Sequence, residues 1–383
     1  MNKIRRRKRE RGLGATLWIV LAVIVFAIYV ASRPTLDWLD GILVKPTERE
    51  RYLKELVNER NPRWNFWESA YLDARLDSTT IQIPARERIQ TDTATLRSAQ
   101  SWRIDVPTGR RVELEIINRD SVPLFAELFV GEESRPEQNV EVMDTMRFEF
   151  EDARAQTAVI QLVVQSRLGA TNDYEIALHD RAVLRFPVAE KTERAIKSFW
   201  GDPRDGGRRK HKGNDIFAPK GTPLLAVTEG RISRVRNGGL GGKSVFLRDG
   251  EGRPLSYYYA HLDSQYVRRG QYVERGDTIG TVGNTGNART TPPHLHFGIY
   301  GRGAIDPNAF LRDPQRAPER AIALRTEPWI ISAREPYYLR YQPTRKNSII
   351  RQLEAGEVVH PLGRTGRFTR VRTARGETGY VLM

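Results

Sequence analysis

Two histidines one residue apart, in Pro293-His294-Leu295-His296-Phe297, are the first side chains whose type and spacing suggest chemistry. In a strand successive side chains alternate faces, so both imidazoles project from one side while Leu295 and Phe297 enter the packing. One neutral imidazole can hold a metal and the other can handle a proton, a combination suited to a zinc-dependent hydrolase. The same pattern also describes a half-buried strand that merely carries two histidines, so its weight depends on partners elsewhere. The 383 residues contain no cysteine. Thiolate zinc sites, iron–sulfur clusters and disulfide scaffolds are therefore excluded, and His, Asp and Glu are left as protein ligands for a transition metal.

Suitable partners lie in two further motifs. One is His211-Lys212-Gly213-Asn214-Asp215, running on into Ile216-Phe217-Ala218-Pro219-Lys220-Gly221-Thr222-Pro223; the other is Tyr259-Ala260-His261-Leu262. Neither is specific alone, because His and Asp are common in loops. In this order and at these intervals, the three motifs resemble the lysostaphin-type (LytM-like) zinc metallopeptidases over about residues 195 to 312, roughly a third of the chain. The resemblance implies His211, Asp215 and His296 as ligands of one Zn2+ per chain, with His261 and His294 as the catalytic pair. Two imidazoles and one carboxylate leave a fourth tetrahedral position for water, the open arrangement of a catalytic zinc. Zinc can lower the pKa of water from about 15.7 toward about 7, and two histidines not needed as ligands can take its proton and stabilise an oxyanion.

The implied reaction is hydrolysis of a peptide bond without a covalent enzyme intermediate, with peptidoglycan peptides as substrate. There is no H-E-x-x-H helix, so a zincin with a glutamate base is excluded. Tyr257, Tyr258, Asn284, Thr285 and Thr291 are candidate groove contacts, although tyrosine and threonine also simply favour strands. Three positions depart from the family pattern: Asn214 replaces an apolar residue, Pro292 stands where glycine often precedes Pro293-His294, and Gly298 stands where glutamate often follows the phenylalanine. A carrier domain is a rival reading of Gly221 to Gly283, but Lys243 follows Gly-Gly and lacks the context of an acceptor lysine. A non-catalytic wall-binding scaffold or activator is the stronger rival, since relatives that lost zinc ligands act that way; here the ligand set is intact.

The elements that must position these residues are mainly β. Residues 1–11 form a basic tail in which seven cations against Glu10 give a local +6, leaving +9 of the formal +15 for the remainder. From Leu13 to Ala31 no residue is charged, and at about 1.5 Å per residue the run matches a bilayer core of about 30 Å. Residues 12–32 are thus expected to be a transmembrane signal anchor with the N-terminus cytoplasmic and the catalytic part periplasmic or extracellular. Val30-Ala31-Ser32 as a signal-peptidase site is the alternative. Nucleic acid is not expected as a partner, since no helix-turn-helix, RNA-recognition or finger signature occurs. A hydrolase tethered at a membrane does invite control by a regulatory envelope protein.

Residues 33–64 read as a linker with a short helix, which Thr47 and Glu50 open as a capping box and Asn61-Pro62 closes. Residues 65–188 alternate with period two between turns and suggest a β-sandwich-like accessory domain, in which His179 is an ordinary surface or turn histidine. The glycine-rich peptidase-like domain occupies 191–312. Residues 325–383 read as a small SH3-like β-barrel. Its order of Leu-Arg, Pro343, Ile-Ile-Arg-Gln-Leu, Arg-Val-Arg-Thr and Gly-Glu-Thr-Gly-Tyr-Val resembles bacterial SH3-like domains, which often bind cell-wall peptides, although tryptophan is common where Phe368 and Tyr380 sit.

Overall fold

The computed structural model describes residues 45–91, 99–151, 158–314, 316–321 and 327–382. The basic tail and the anchor expected over 12–32 lie outside them. Among the described residues no helix is long and apolar enough to cross a membrane. The chain divides into two units, one ending at Glu59 and one beginning at Arg60. In the first, a helix runs from Glu48 to Asn58; Thr47 Oγ1 accepts from the Glu50 amide while the Glu50 carboxylate accepts from the Thr47 amide, a reciprocal capping box.

The second unit opens with a helix, Trp64–Leu76, where sequence reading places the start of the sandwich. Trp67, Ala70 and Ala74 follow helical spacing and are buried. Ala70 and Ala74 pack against Ala99, Phe129 and Val163, and Trp67 Nε1 donates to the Ser166 carbonyl at 2.8 Å. Four aromatics in eight residues also suit a strand, and this disguised the period.

Among the described residues nine strands form the sandwich. One sheet has the order Thr80–Ile81, Ala99–Val106, Ala158–Ser166, Leu124–Val130, Gln138–Val142; the other has Ala85–Gln90, Asp173–Ala182, Arg110–Asn118, Thr145–Phe150. Burial alternates strictly along Arg110–Asn118, as one wetted face requires. The seven residues Ile160 to Ser166 are all buried, because the Trp64–Leu76 helix covers the outer face of that sheet. His179 lies within the strand Asp173–Ala182, not in a turn, and its Nδ1 accepts from the Ala317 amide at 3.0 Å.

The site rests on an eight-stranded sheet whose central members are Asn214–Phe217, His294–Tyr300, Ser256–Leu262 and Lys243–Asp249, in that order. Leu295, Phe297, Tyr257, Tyr259, Val245 and Leu247 fill its core with no exposed surface. Six described strands make the SH3-like domain, beginning with Trp329–Ile330 inside the expected 325–383 segment.

Buried ion pairs join the three domains of this unit. Arg110, fully buried, forks onto Asp180 at 2.8 and 2.9 Å and donates to the carbonyls of Ala309 and Arg312 at the end of the Asn308–Leu311 helix. The adjacent Gly109 has φ +81, and a Cβ there would meet the Phe310 ring at 2.5 Å. Arg253 links Glu151 of the sandwich to Asp249 and Glu251 of the peptidase-like domain. Glu87 of the sandwich faces Arg370 of the SH3-like domain, both with no exposed side-chain surface.

Candidate metal centre

Register brings the site together. Asp215 pairs with His296, and His296 pairs on its other side with Ala260, so one row across three strands carries a carboxylate, an imidazole and the residue before His261. His294 lies two residues along on the same face, opposite Phe217, whose ring stacks on it with centroids 5.0 Å apart. His211 comes from the loop that precedes the Asn214–Phe217 strand. Its Nε2 lies 2.9 Å from His296 Nδ1 and 3.1 Å from Asp215 Oδ1, and the third side of this triangle is 3.0 Å.

The chemistry of this donor set fits a small divalent cation. The Phe199 carbonyl, 2.9 Å from His211 Nδ1, must receive its proton, which leaves a lone pair on Nε2. Bonds of about 2.0–2.1 Å to a tetrahedral zinc would separate donors by about 3.3 Å, a few tenths more than the observed triangle. Burial works against ionising Asp215, but hydrogen bonds and charge from His211 and His296 outweigh it and hold the carboxyl well below the usual range. The second oxygen of Asp215 accepts from Arg204 at 2.7 Å, and the same guanidinium nitrogen contacts Ser198 Oγ at 2.7 Å.

The other two histidines are held in one manner. His261 Nδ1 donates to the Thr285 carbonyl and His294 Nδ1 to the Pro292 carbonyl, both at 2.9 Å, so each has Nε2 left for other partners. His294 Nε2 is 4.0 Å from Asp215 Oδ1, and the rings of His261 and His294 are 5.1 Å apart. Burial, reinforced by charge on His294 and His296, pushes His261 down to about 4, and burial also lowers His296 against the pull of Asp215. Both imidazoles are therefore neutral at neutral pH. His261 has φ +67, a conformation that β-carbon-bearing residues adopt at a cost and that functional sites often retain.

These groups line a cleft of about 420 Å3. Every residue lining it falls between Ser198 and His296, so among the described residues neither the sandwich nor the SH3-like domain contributes. Tyr258 and Thr291 line the cleft; Tyr257, Asn284 and Thr285 do not. Tyr257 is a correction: it turns into the core, fully buried, with its hydroxyl donating to Asp249 at 2.6 Å. Thr285 stands behind His261 as its carbonyl anchor, and its Oγ1 accepts from the Lys243 amide and donates to the Leu262 carbonyl. Asn284 directs its amide toward the Arg289 carbonyl at 3.5 Å.

The departures noted in sequence have local reasons. Asn214 is buried but satisfied, accepting from the Trp200 amide and donating to Asn308 Oδ1, each at 2.9 Å. Pro292 supplies the carbonyl that orients His294. A Cβ at Gly298 would lie 2.9 Å from the Tyr300 ring, which fills the space a longer side chain would need. Sequence reasoning missed Arg204 and Gly213. A Cβ at Gly213 would meet the Phe297 carbonyl at 2.5 Å and His296 Cε1 at 2.8 Å. Gly213→Ala is accordingly expected to push His296 out of line and weaken metal affinity by about 10–100-fold, as loss of outer support does elsewhere; zinc titration against a competing chelator measures it.

A metal-binding peptidase domain is the class that this sheet and donor set describe. Residues 209–307 match peptidase family M23, and residues 337–383 match the bacterial SH3 domain. The chain thus carries an M23 peptidase domain followed by a bacterial SH3 domain. It is 38% identical over 144 residues to the L-Ala--D-Glu endopeptidase of Bacillus subtilis (strain 168), covering 34% of this chain and 44% of that protein. With the peptidoglycan DD-endopeptidase ShyA of Vibrio cholerae it shares 37% identity over 128 residues, 32% of this chain and 28% of that protein. Among solved structures, the catalytic domain of lysostaphin from Staphylococcus simulans aligns at 32% identity and TM-score 0.27, over 31% of this chain and 93% of that one. The chain spans less than half the length of these two curated relatives.

Proposed function

We propose that the protein is a membrane-anchored zinc metallo-endopeptidase that hydrolyses stem-peptide or cross-link bonds of peptidoglycan. The observation that carries this reading is the convergence of His211 Nε2, Asp215 Oδ1 and His296 Nδ1 within 3.1 Å, beside two histidines anchored through Nδ1 on the wall of an open cleft. The endopeptidase relatives support the substrate, and the basic tail followed by the apolar run from Leu13 to Ala31 supports export behind an uncleaved anchor.

Bound zinc would supply Lewis acidity that makes water a nucleophile near neutral pH. His261 and His294 do the proton work. Held neutral by burial, His261 can accept a proton from the attacking water through Nε2. An imidazolium so formed stabilises charge on the former carbonyl oxygen, then protonates the departing amine as the carbon–nitrogen bond breaks. Arg204 holds the second oxygen of Asp215 and so fixes which of its oxygens faces the histidines.

The test is digestion of purified peptidoglycan by the zinc-loaded full chain, with fragments identified by mass spectrometry. Soluble peptide-cleaved fragments are expected, one zinc per chain, loss of both after chelation or in His211→Ala, and recovery on adding zinc back to the chelated wild type. Undiminished hydrolysis by metal-free protein would overturn the reading. Zinc binding without fragments would identify a non-catalytic scaffold.

A further inference from the structure

The two walls of the metal cleft differ in chemistry. On the side of the Asn214–Phe217 strand, Ser198, Arg204 and His211 are polar and tied to Asp215 or to one another. On the side of the Lys243–Asp249 strand the lining includes Leu240, Gly241, Ala260 and Ala288. Leu240 is 73% exposed.

An exposed leucine on a loose loop is ordinary, but this one is held. Gly238 and Gly239 take φ of +113 and +70, turning the chain so that the Gly238 amide donates to the Gly242 carbonyl at 3.0 Å. The Leu240 carbonyl accepts from the Asn287 amide at 3.0 Å, and the Gly241 carbonyl accepts from the His261 amide at 2.9 Å. The packing around the loop is tight: a Cβ at Gly241 would meet the Tyr258 hydroxyl at 1.9 Å, and one at Gly286 the Leu240 carbonyl at 2.3 Å. The backbone of Leu240 is thus fixed one residue from the hydrogen bond to His261, while its side chain is left to water in the cleft.

We infer that Leu240 is a specificity-determining residue, receiving an aliphatic side chain of the substrate beside the scissile bond, so that a small aliphatic residue such as alanine is preferred there over glycine or serine. This rests on the peptidase reading of the same cleft. A substrate side chain that covers Leu240 removes two apolar surfaces from water at once, a gain that glycine cannot supply and that a hydroxyl reduces. Because the loop is already ordered, little freedom is lost when it is covered.

The experiment compares the zinc-loaded full chain with L240S and L240I on cross-linked muropeptide dimers whose alanines are replaced one at a time by glycine or serine. For wild type, replacement at one position beside the cleaved bond is expected to lower kcat/KM by about tenfold, mainly through KM, which is the low end of what one methyl group is worth in a pocket. In L240S, with zinc content unchanged, the ratio between alanine and glycine substrates is expected to fall toward one, and L240I is expected to keep most of it. Calorimetric binding of the same dimers is the second readout. Equal binding and cleavage of all dimers by wild type overturns the inference, as does an L240S variant that keeps the wild-type ratio. Preferential binding of the alanine form without cleavage of any dimer leaves the inference standing and overturns the peptidase reading instead.

Discussion

His294→Ala is expected to keep one zinc per chain and to lower kcat on peptidoglycan fragments by about 100- to 10,000-fold, the range spanned by loss of a positioned general acid–base. The geometry separates His294 from the ligand set. Its Nε2 lies 4.0 Å from Asp215 Oδ1, whereas the three proposed ligand atoms are mutually within 3.1 Å. Its Nδ1 is committed to the Pro292 carbonyl, so the ring cannot swing toward the metal without breaking that hydrogen bond. His261→Ala is expected to behave alike, and the double variant to be no worse than about tenfold below either single one, because residues acting as a unit are not additive. Asp215→Ala differs in kind, removing the metal and the activity together. Elemental analysis alongside turnover decides; loss of zinc from His294→Ala would make His294 a ligand and redistribute the roles.

Arg370→Ala is expected to destabilise the protein by about 3–5 kcal/mol, the cost of leaving the partner charge buried and uncompensated. Arg370 lies with its guanidinium carbon 4.6 Å from the Trp102 ring, donates to the Ser101 carbonyl and Gln100 Oε1, and faces Glu87 at 3.6 Å. Glu87 in turn accepts from Trp102 Nε1 at 2.9 Å and from the hydroxyls of Thr365 and Tyr380. Every one of these contacts crosses or borders the seam between sandwich and SH3-like domain. The expected signature in calorimetry is one transition splitting into two as the SH3-like domain melts separately. Glu87→Gln with Arg370→Met removes both charges and is expected to recover most of the loss. A single unchanged transition in Arg370→Ala would show that the seam does not depend on this pair. Tyr380, at a position where tryptophan is common in such domains, is fully buried in this seam.

Much of the site could be read from the chain because its groups sit in short motifs: the alternation in His294-Leu295-His296 alone fixes which side chains share a face. The same rule, applied consistently, would have separated Tyr257 from Tyr258, since adjacent residues of one strand cannot both face the cleft. Arg204 was not legible. Its contact with Asp215 depends on a hairpin folding back across eleven positions, and nothing in an isolated arginine records that. The Trp64–Leu76 helix was hidden by aromatic residues that serve either secondary structure. The domain seams were hidden for another reason: Arg110, Arg370 and Glu87 are charged, and charged residues read as surface until a partner is known.

The row Asp215, His296, Ala260 has a consequence for assembly. Slipping the His294–Tyr300 strand by one residue would send both histidines inward and expose Leu295 and Phe297, so a misregistered sheet is also a sheet that cannot bind metal. Bound zinc would therefore act as a proofreader of folding: by mass action it would reward the correct register alone, and metal uptake during refolding would report on strand pairing before any substrate is added.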